Sequence, residues 1–159
     1  MSKTLVIYYS RKGTVKKVAE GIAKALEADS EEIIDTKNRN GALGYIKAGK
    51  DAMTGELTEL EPIKSDLSKY DLIVVGTPIW ASHFATPVKT FLKLNYTKIN
   101  KVAVFSVSAS DSQNKAAEDV QAETLKKPLA QTIISAKDIK SGMLEFKIKE
   151  FKEQIDNLD

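Results

Sequence analysis

Three short apolar runs constrain this chain more than any other feature. They are Leu5-Val6-Ile7-Tyr8-Tyr9, Leu72-Ile73-Val74-Val75-Gly76-Thr77 and Val102-Ala103-Val104-Phe105. A strand with one wet face alternates apolar and polar residues. These runs do not alternate, which predicts strands covered on both faces, as in a parallel sheet. Such a sheet needs helices on each side, and the intervening sequence supplies them. Val15, Val18, Ala19, Ile22, Ala25 and Leu26 recur at spacings of three and four, which predicts a helix over Val15 to Leu26 with Thr14 as its N-cap. Thr86-Pro87 opens a second helix, with Thr as N-cap, Pro at the first helical position and Val88, Phe91 and Leu92 as its stripe. Ala117, Val120 and Leu125 mark a third helix, and Leu144, Ile148, Phe151, Ile155 and Leu158 a final one.

Two weaker strands complete the set, Glu32 to Asp35 and Leu129 to Ile134, and Pro78 is expected to end the strand begun at Leu72. Asn38 to Gly55 carries four glycines; Tyr45, Ile46, Gly49 and Met53 would line one face of a short helix there. Glu56 to Asp71 reads as an irregular connection. Strands alternating with helices imply right-handed crossovers. The expected fold class is α/β: a three-layer α/β/α sandwich with a five-stranded parallel sheet in the order 2-1-3-4-5. A length of 159 residues suits one domain. In such sheets ligands sit beyond the carboxyl ends of the strands, at the switch point between the first and third. The turns after Tyr9 and after Gly76 therefore border one crevice.

Composition removes several function classes. There is no Cys, so disulfides, thiolate metal sites and cysteine nucleophiles are excluded; this is compatible with a cytoplasmic location. Net charge is +2, from 24 basic and 22 acidic residues, with Arg only at Arg11 and Arg39. Lysines scattered among acids indicate solvated faces, not a nucleic-acid surface. No stretch approaches ~20 apolar residues, and no apolar run follows a basic start, so neither a membrane span nor a signal peptide is expected. His83 is the one histidine, and no acid and nucleophile are arranged around it. No catalytic residue and no metal site is assigned.

The loops carry the chemistry. Ser10-Arg11-Lys12-Gly13-Thr14-Val15-Lys16 links a strand to a helix, where free N–H groups and the helix dipole attract an anion. It lacks both G-x-x-x-x-G-K-[ST] and Gly-x-Gly-x-x-Gly. Its length leaves room for one terminal phosphate, with Lys12 and Lys16 adding ~0.5 kcal/mol each. The other reading of this loop is a turn that only reverses the chain. In Thr77-Pro78-Ile79-Trp80-Ala81-Ser82-His83, Trp80 either walls a flat ring or covers the edge of the core. Val107-Ser108-Ala109-Ser110-Asp111 offers small hydroxyl residues that permit close approach.

Three segments, Tyr9 to Ala19, Tyr70 to Trp80 and Lys101 to Ser106, resemble the flavodoxin family in order and spacing, and the likeness extends over essentially the whole chain. The resemblance implies FMN. Its phosphate would fall to Ser10, Arg11, Lys12, Gly13, Thr14 and Val15. Thr77, Pro78, Ile79, Trp80 and Ala81 would flank the isoalloxazine ring, and Ser108, Ala109 and Ser110 would approach it from another side. Val15 and Lys12 stand where the family commonly has hydroxyl residues, and Ala109-Ser110 stands where it often has a Gly pair. The family implies an electron carrier serving redox partner proteins. The alternatives are an FMN-dependent reductase passing hydride from NAD(P)H to a quinone, which the basic balance favours, and a module of this fold that has lost FMN.

Overall fold

The computed structural model describes residues 3–36, 57–110 and 112–158. The first apolar run forms β1 (Thr4–Tyr8), which leads through a five-residue turn, Tyr9 to Gly13, into α1 (Thr14–Leu26). The next strand, β2 (Asp29–Glu32), lies three residues earlier than expected. Ile33 and Ile34 suggested a strand there, but only Ile33 enters the core; Ile34 is exposed, and the chain bends so that Asp35 bridges to Leu60. Residues 57–71 are irregular. Glu31 pins them to β2, because its carboxylate accepts from the Lys64 N–H, the Ser65 N–H and the Ser65 hydroxyl. The short helix suggested by Tyr45, Ile46, Gly49 and Met53 lies outside the described residues.

Pro78 does not end the next strand, contrary to expectation. β3 (Leu72–Trp80) continues through it, and Pro78 pairs with Val107. Strand residues two apart face the same neighbour. The Gly76 carbonyl faces the first strand, where it accepts from the Tyr9 N–H. The N–H that proline lacks therefore faces the same side, past the end of β1, and no ladder bond is lost. Gly76 stands between Tyr8 and Phe105, where an added Cβ would lie 2.2 Å from the Phe105 ring. A tight turn at Ala81 and Ser82, with φ of 52° and 71°, then folds β4 (His83–Phe84) back on β3.

The remaining elements are α2 (Thr86–Asn95), β5 (Lys101–Ser108), α3 (Ala116–Thr124), β6 (Gln131–Ser135), α4 (Ala136–Ser141) and α5 (Met143–Asp156). Ala85 caps α2, and Thr86 is its first residue, not its cap. Leu125 is not on the α3 stripe: it closes that helix in a left-handed conformation and is 79% exposed. Leu158 falls beyond the end of α5. No sequence pattern led to an expectation of α4.

The sheet runs β2-β1-β3-β5-β6, all parallel, with β4 attached antiparallel to β3. Without that two-residue ribbon the order is the expected 2-1-3-4-5. One core packs Val6, Tyr8, Val74 and Phe105 against Val15, Val18 and Ile22 of α1 and Phe151 of α5. The other packs Leu5, Ile7, Ile73 and Val75 against Val88, Phe91 and Leu92 of α2 and Val120 of α3. No helix among the described residues is long and apolar enough to cross a membrane.

Candidate functional site

A cleft of about 450 Å³ opens beyond the carboxyl ends of the central strands. Its lining comes from four places: Ser10, Arg11, Lys12, Thr14 and Val15; Pro78, Ile79 and Trp80; Val107, Ser108 and Ala109; and Ala136, Ile139 and Lys140. The three loops singled out by sequence thus meet in one crevice. Gly13, Thr77, Ala81 and Ser110 do not line it. The α4 wall was not foreseen.

The first wall is built around Ser10. Its Oγ accepts from the N–H of Gly13 at 3.0 Å and of Lys16 at 3.1 Å. Thr14 was expected to cap α1, but Gly13 is the cap residue, at φ 96°, and it makes no side-chain cap bond. Ser10 supplies the missing cap from three residues upstream. The turn needs glycine for this backbone angle, not for space, since an added Cβ would meet nothing within 4 Å. With both lone pairs engaged, the Ser10 hydroxyl keeps its O–H to donate elsewhere. Thr14 and Val15 begin the helix, so no helical carbonyl reaches their N–H groups. Lys16 contributes less than expected: its Nζ lies 3.9 Å from Glu32 and it does not line the cleft. Val15 directs its side chain into the core shared with Val6 and Tyr8.

The second wall is the end of β3. Trp80 covers the edge of the core and also reaches the cleft. It is 4% exposed and packs edge-on against Tyr9, with centroids 5.6 Å apart, yet it also borders the cleft. Thr77 is fully buried. Its hydroxyl accepts from the Ala85 N–H and donates to the Pro78 carbonyl, which fixes the chain on either side of the turn. Asp119 of α3 anchors the hairpin: its carboxylate lies 3.0 Å from His83 Nδ1 and accepts from the Phe84 N–H. The Lys115 N–H donates to the Ser82 carbonyl. In the third wall the Ser108 hydroxyl donates to the Ser110 carbonyl, closing a small loop.

The fourth wall is held by a partly buried ion pair. Asp138 accepts from the Ser135 N–H and from Lys147 Nζ at 2.6 Å, and Lys147 also donates to the Ile133 carbonyl. The Asp138 N–H returns a bond to Ser135 Oγ, completing a capping box. Burial works to raise the Asp138 carboxyl, but the hydrogen bonds from Lys147 and Ser135 outweigh it and hold the carboxyl below its ordinary value. The Ser135-x-x-Asp138 spacing was the readable signal for this helix start.

Chemically the cleft has two characters. One end offers a hydroxyl, the first N–H groups of a 13-residue helix and two cations, which suits a phosphate. The rest is largely apolar, through Val15, Pro78, Ile79, Trp80, Val107 and Ile139, which suits a flat ring. The volume lies in the ordinary range of ~300–1,000 Å³ for small-molecule sites. Every charged residue in the lining is cationic: Arg11, Lys12 and Lys140.

Known proteins resemble this chain over most of its length. The profile of a family described as Flavodoxin matches residues 3–151. The crystal structure of a flavoprotein in complex with FMN from Lactobacillus acidophilus superposes with a TM-score of 0.73 at 25% identity, covering 89% of this chain and 98% of that one. A flavoprotein structure from Bacteroides uniformis gives 0.75 at 25% identity, over 93% and 98%. An NAD(P)H dehydrogenase (quinone) of Cupriavidus metallidurans is 33% identical over 94 residues. That match covers 58% of this chain and 46% of the relative, so the chain spans less than half of the relative's length.

Proposed function

The chain belongs to the flavodoxin family, and from that premise we propose that it binds FMN non-covalently in this cleft and carries electrons between redox partners. One observation carries the reading: a phosphate-type turn and an apolar platform for a planar ring share one cleft of about 450 Å³. In this reading the Ser10 O–H, the N–H groups of Thr14 and Val15, and the α1 dipole hold the phosphate. Arg11 and Lys12 add charge beside it. Pro78, Ile79 and Trp80 bound the ring on one side, and Ser108 and Ala109 on another. Gly13 and Thr77 act through the backbone that they fix. Ala81 and Ser110 hold their loops beside the lining. Bound FMN supplies one- and two-electron chemistry; the protein supplies position and exclusion of water.

The test is a visible absorption spectrum of the purified protein, followed by titration with FMN. The expected result is a 1:1 complex with flavin bands and altered flavin fluorescence. A colourless protein that takes up no FMN would falsify the proposal. A second reading is an FMN-dependent reductase that passes electrons from NAD(P)H to a quinone. The likeness to an NAD(P)H dehydrogenase (quinone) and the cationic mouth of the cleft favour it. Steady-state NAD(P)H oxidation with a quinone separates the two, because a carrier shows none without a partner reductase.

A further inference from the structure

The charge of the cleft exceeds what one phosphate balances. Among the described residues Arg11, Lys12 and Lys140 line it and no carboxylate does; Arg11 is already engaged within the protein, which leaves Lys12 and Lys140 as the cations counted. The N-terminus of α1 adds about half a positive charge. A phosphate monoester brings about −1.5 to −2 at neutral pH. FMN in the cleft therefore leaves it positive by roughly half a charge to one charge. The cations are not equivalent in position. Arg11 and Lys12 belong to the turn after β1, whereas Lys140 belongs to α4, which directly follows β6, and two strands separate β1 from β6 in the sheet. No hydrogen bond or ion pair with a described residue engages the Lys140 ammonium. Its helix is fixed by the partly buried Asp138–Lys147 pair, so Lys140 is presented from a rigid wall.

We propose that Lys140 recognises an anionic group, a phosphate, sulfonate or carboxylate, on the small molecule that exchanges electrons with the bound flavin. The inference rests on the FMN reading above. Such a group is found on an electron donor, as in the phosphates of a nicotinamide dinucleotide, and on an acceptor, as in an acidic quinone. The bland role for Lys140 is to complement the dipole at the end of α4. Lys137, on the same helix but outside the cleft lining, controls for that and for net charge.

FMN-loaded wild type, Lys140→Gln and Lys137→Gln are titrated at low salt and saturating FMN. The probes are two pairs: NADP+ against NAD+, and 1,4-naphthoquinone-2-sulfonate against 1,4-naphthoquinone. Binding is read from the flavin absorbance. In at least one pair, the more anionic member binds about three- to fivefold more tightly to wild type and to Lys137→Gln. That preference disappears in Lys140→Gln and shrinks at about 0.5 M salt. The pair that shows it identifies donor or acceptor. The proposal is overturned if neither pair shows a preference, if Lys140→Gln keeps it, or if both variants lose it equally. It is also overturned if only an acidic redox protein binds. Failure of wild type to take up FMN removes the underlying reading as well, whereas FMN uptake without charge preference removes this inference alone.

Discussion

Ser10 organises more of the cleft than a single hydroxyl usually does. It caps α1 from outside the helix and holds the Gly13 turn in place. Ser10→Ala leaves two N–H groups without their acceptor. Stability should fall by about 1 kcal/mol in urea titration, and FMN affinity by about tenfold in a fluorescence titration. Unchanged affinity would place the phosphate elsewhere. Gly76 makes the opposite kind of prediction, about bulk. Gly76→Ala drives a methyl into the Phe105 ring, which is fully buried and cannot swing clear. The expected cost is about 3 kcal/mol, seen as a lower denaturation midpoint. At this scale the sequence singled out a loop that lines the cleft but not the direction of each side chain. Lys12 and Lys16 look alike in a string of letters. Only the position of Glu32 in the neighbouring strand shows that Lys16 is drawn away from the cleft.

Elements were legible where they bury a continuous stripe and obscure where they do not. The apolar spacing of α1 located it to within a residue, because Val15, Val18, Ala19 and Ile22 all enter the core. α4 has six residues and among them only Asp138 is buried, so no stripe announces it. Its stability lies in the Asp138–Lys147 pair. Asp138→Asn should cost about 2 kcal/mol at neutral pH, the usual worth of a hydrogen bond to a charged group. The sign of the pH dependence follows from the lowered carboxyl. The folded state gains from Asp138 above the ordinary carboxylate value of about 3.9 and loses that gain as pH falls through the lower folded value. Urea titrations from pH 7 down to pH 3 should therefore show the gap between wild type and Asp138→Asn constant at first and closing at the acid end. A gap that does not change across this range would mean that the pair does not stabilise the fold through the charge of Asp138. β3 was misjudged for a different reason. Proline was read as a stop, but whether it stops a strand depends on which neighbour its missing N–H faces, and that is a property of the sheet.

For the whole molecule, the layer order followed from the three apolar runs alone, since strands buried on both faces leave few arrangements. The fourth wall of the cleft did not follow, because it depends on how the last strand lies beside β5 and how α5 lies across α1. Ligand binding should report on the assembly as a unit. At an FMN concentration about a hundred times the Kd, linkage predicts about 2.7 kcal/mol of added stability. For a chain of this size that is a rise of about 5–10 °C in Tm by thermal scanning, and free riboflavin, lacking the phosphate, should give much less. The Asp138–Lys147 clasp and the Ser10 turn also have a consequence in time. They lie near opposite ends of the lining, Ser10 to Lys140, and translation at roughly 5–20 residues per second makes them on the order of ten seconds apart. A nascent chain therefore carries the Ser10 segment long before it has the wall opposite. The four-walled cleft is complete only once the segment Ala136 to Lys140 has been made and folded, so a ligand that needs all four walls meets them late.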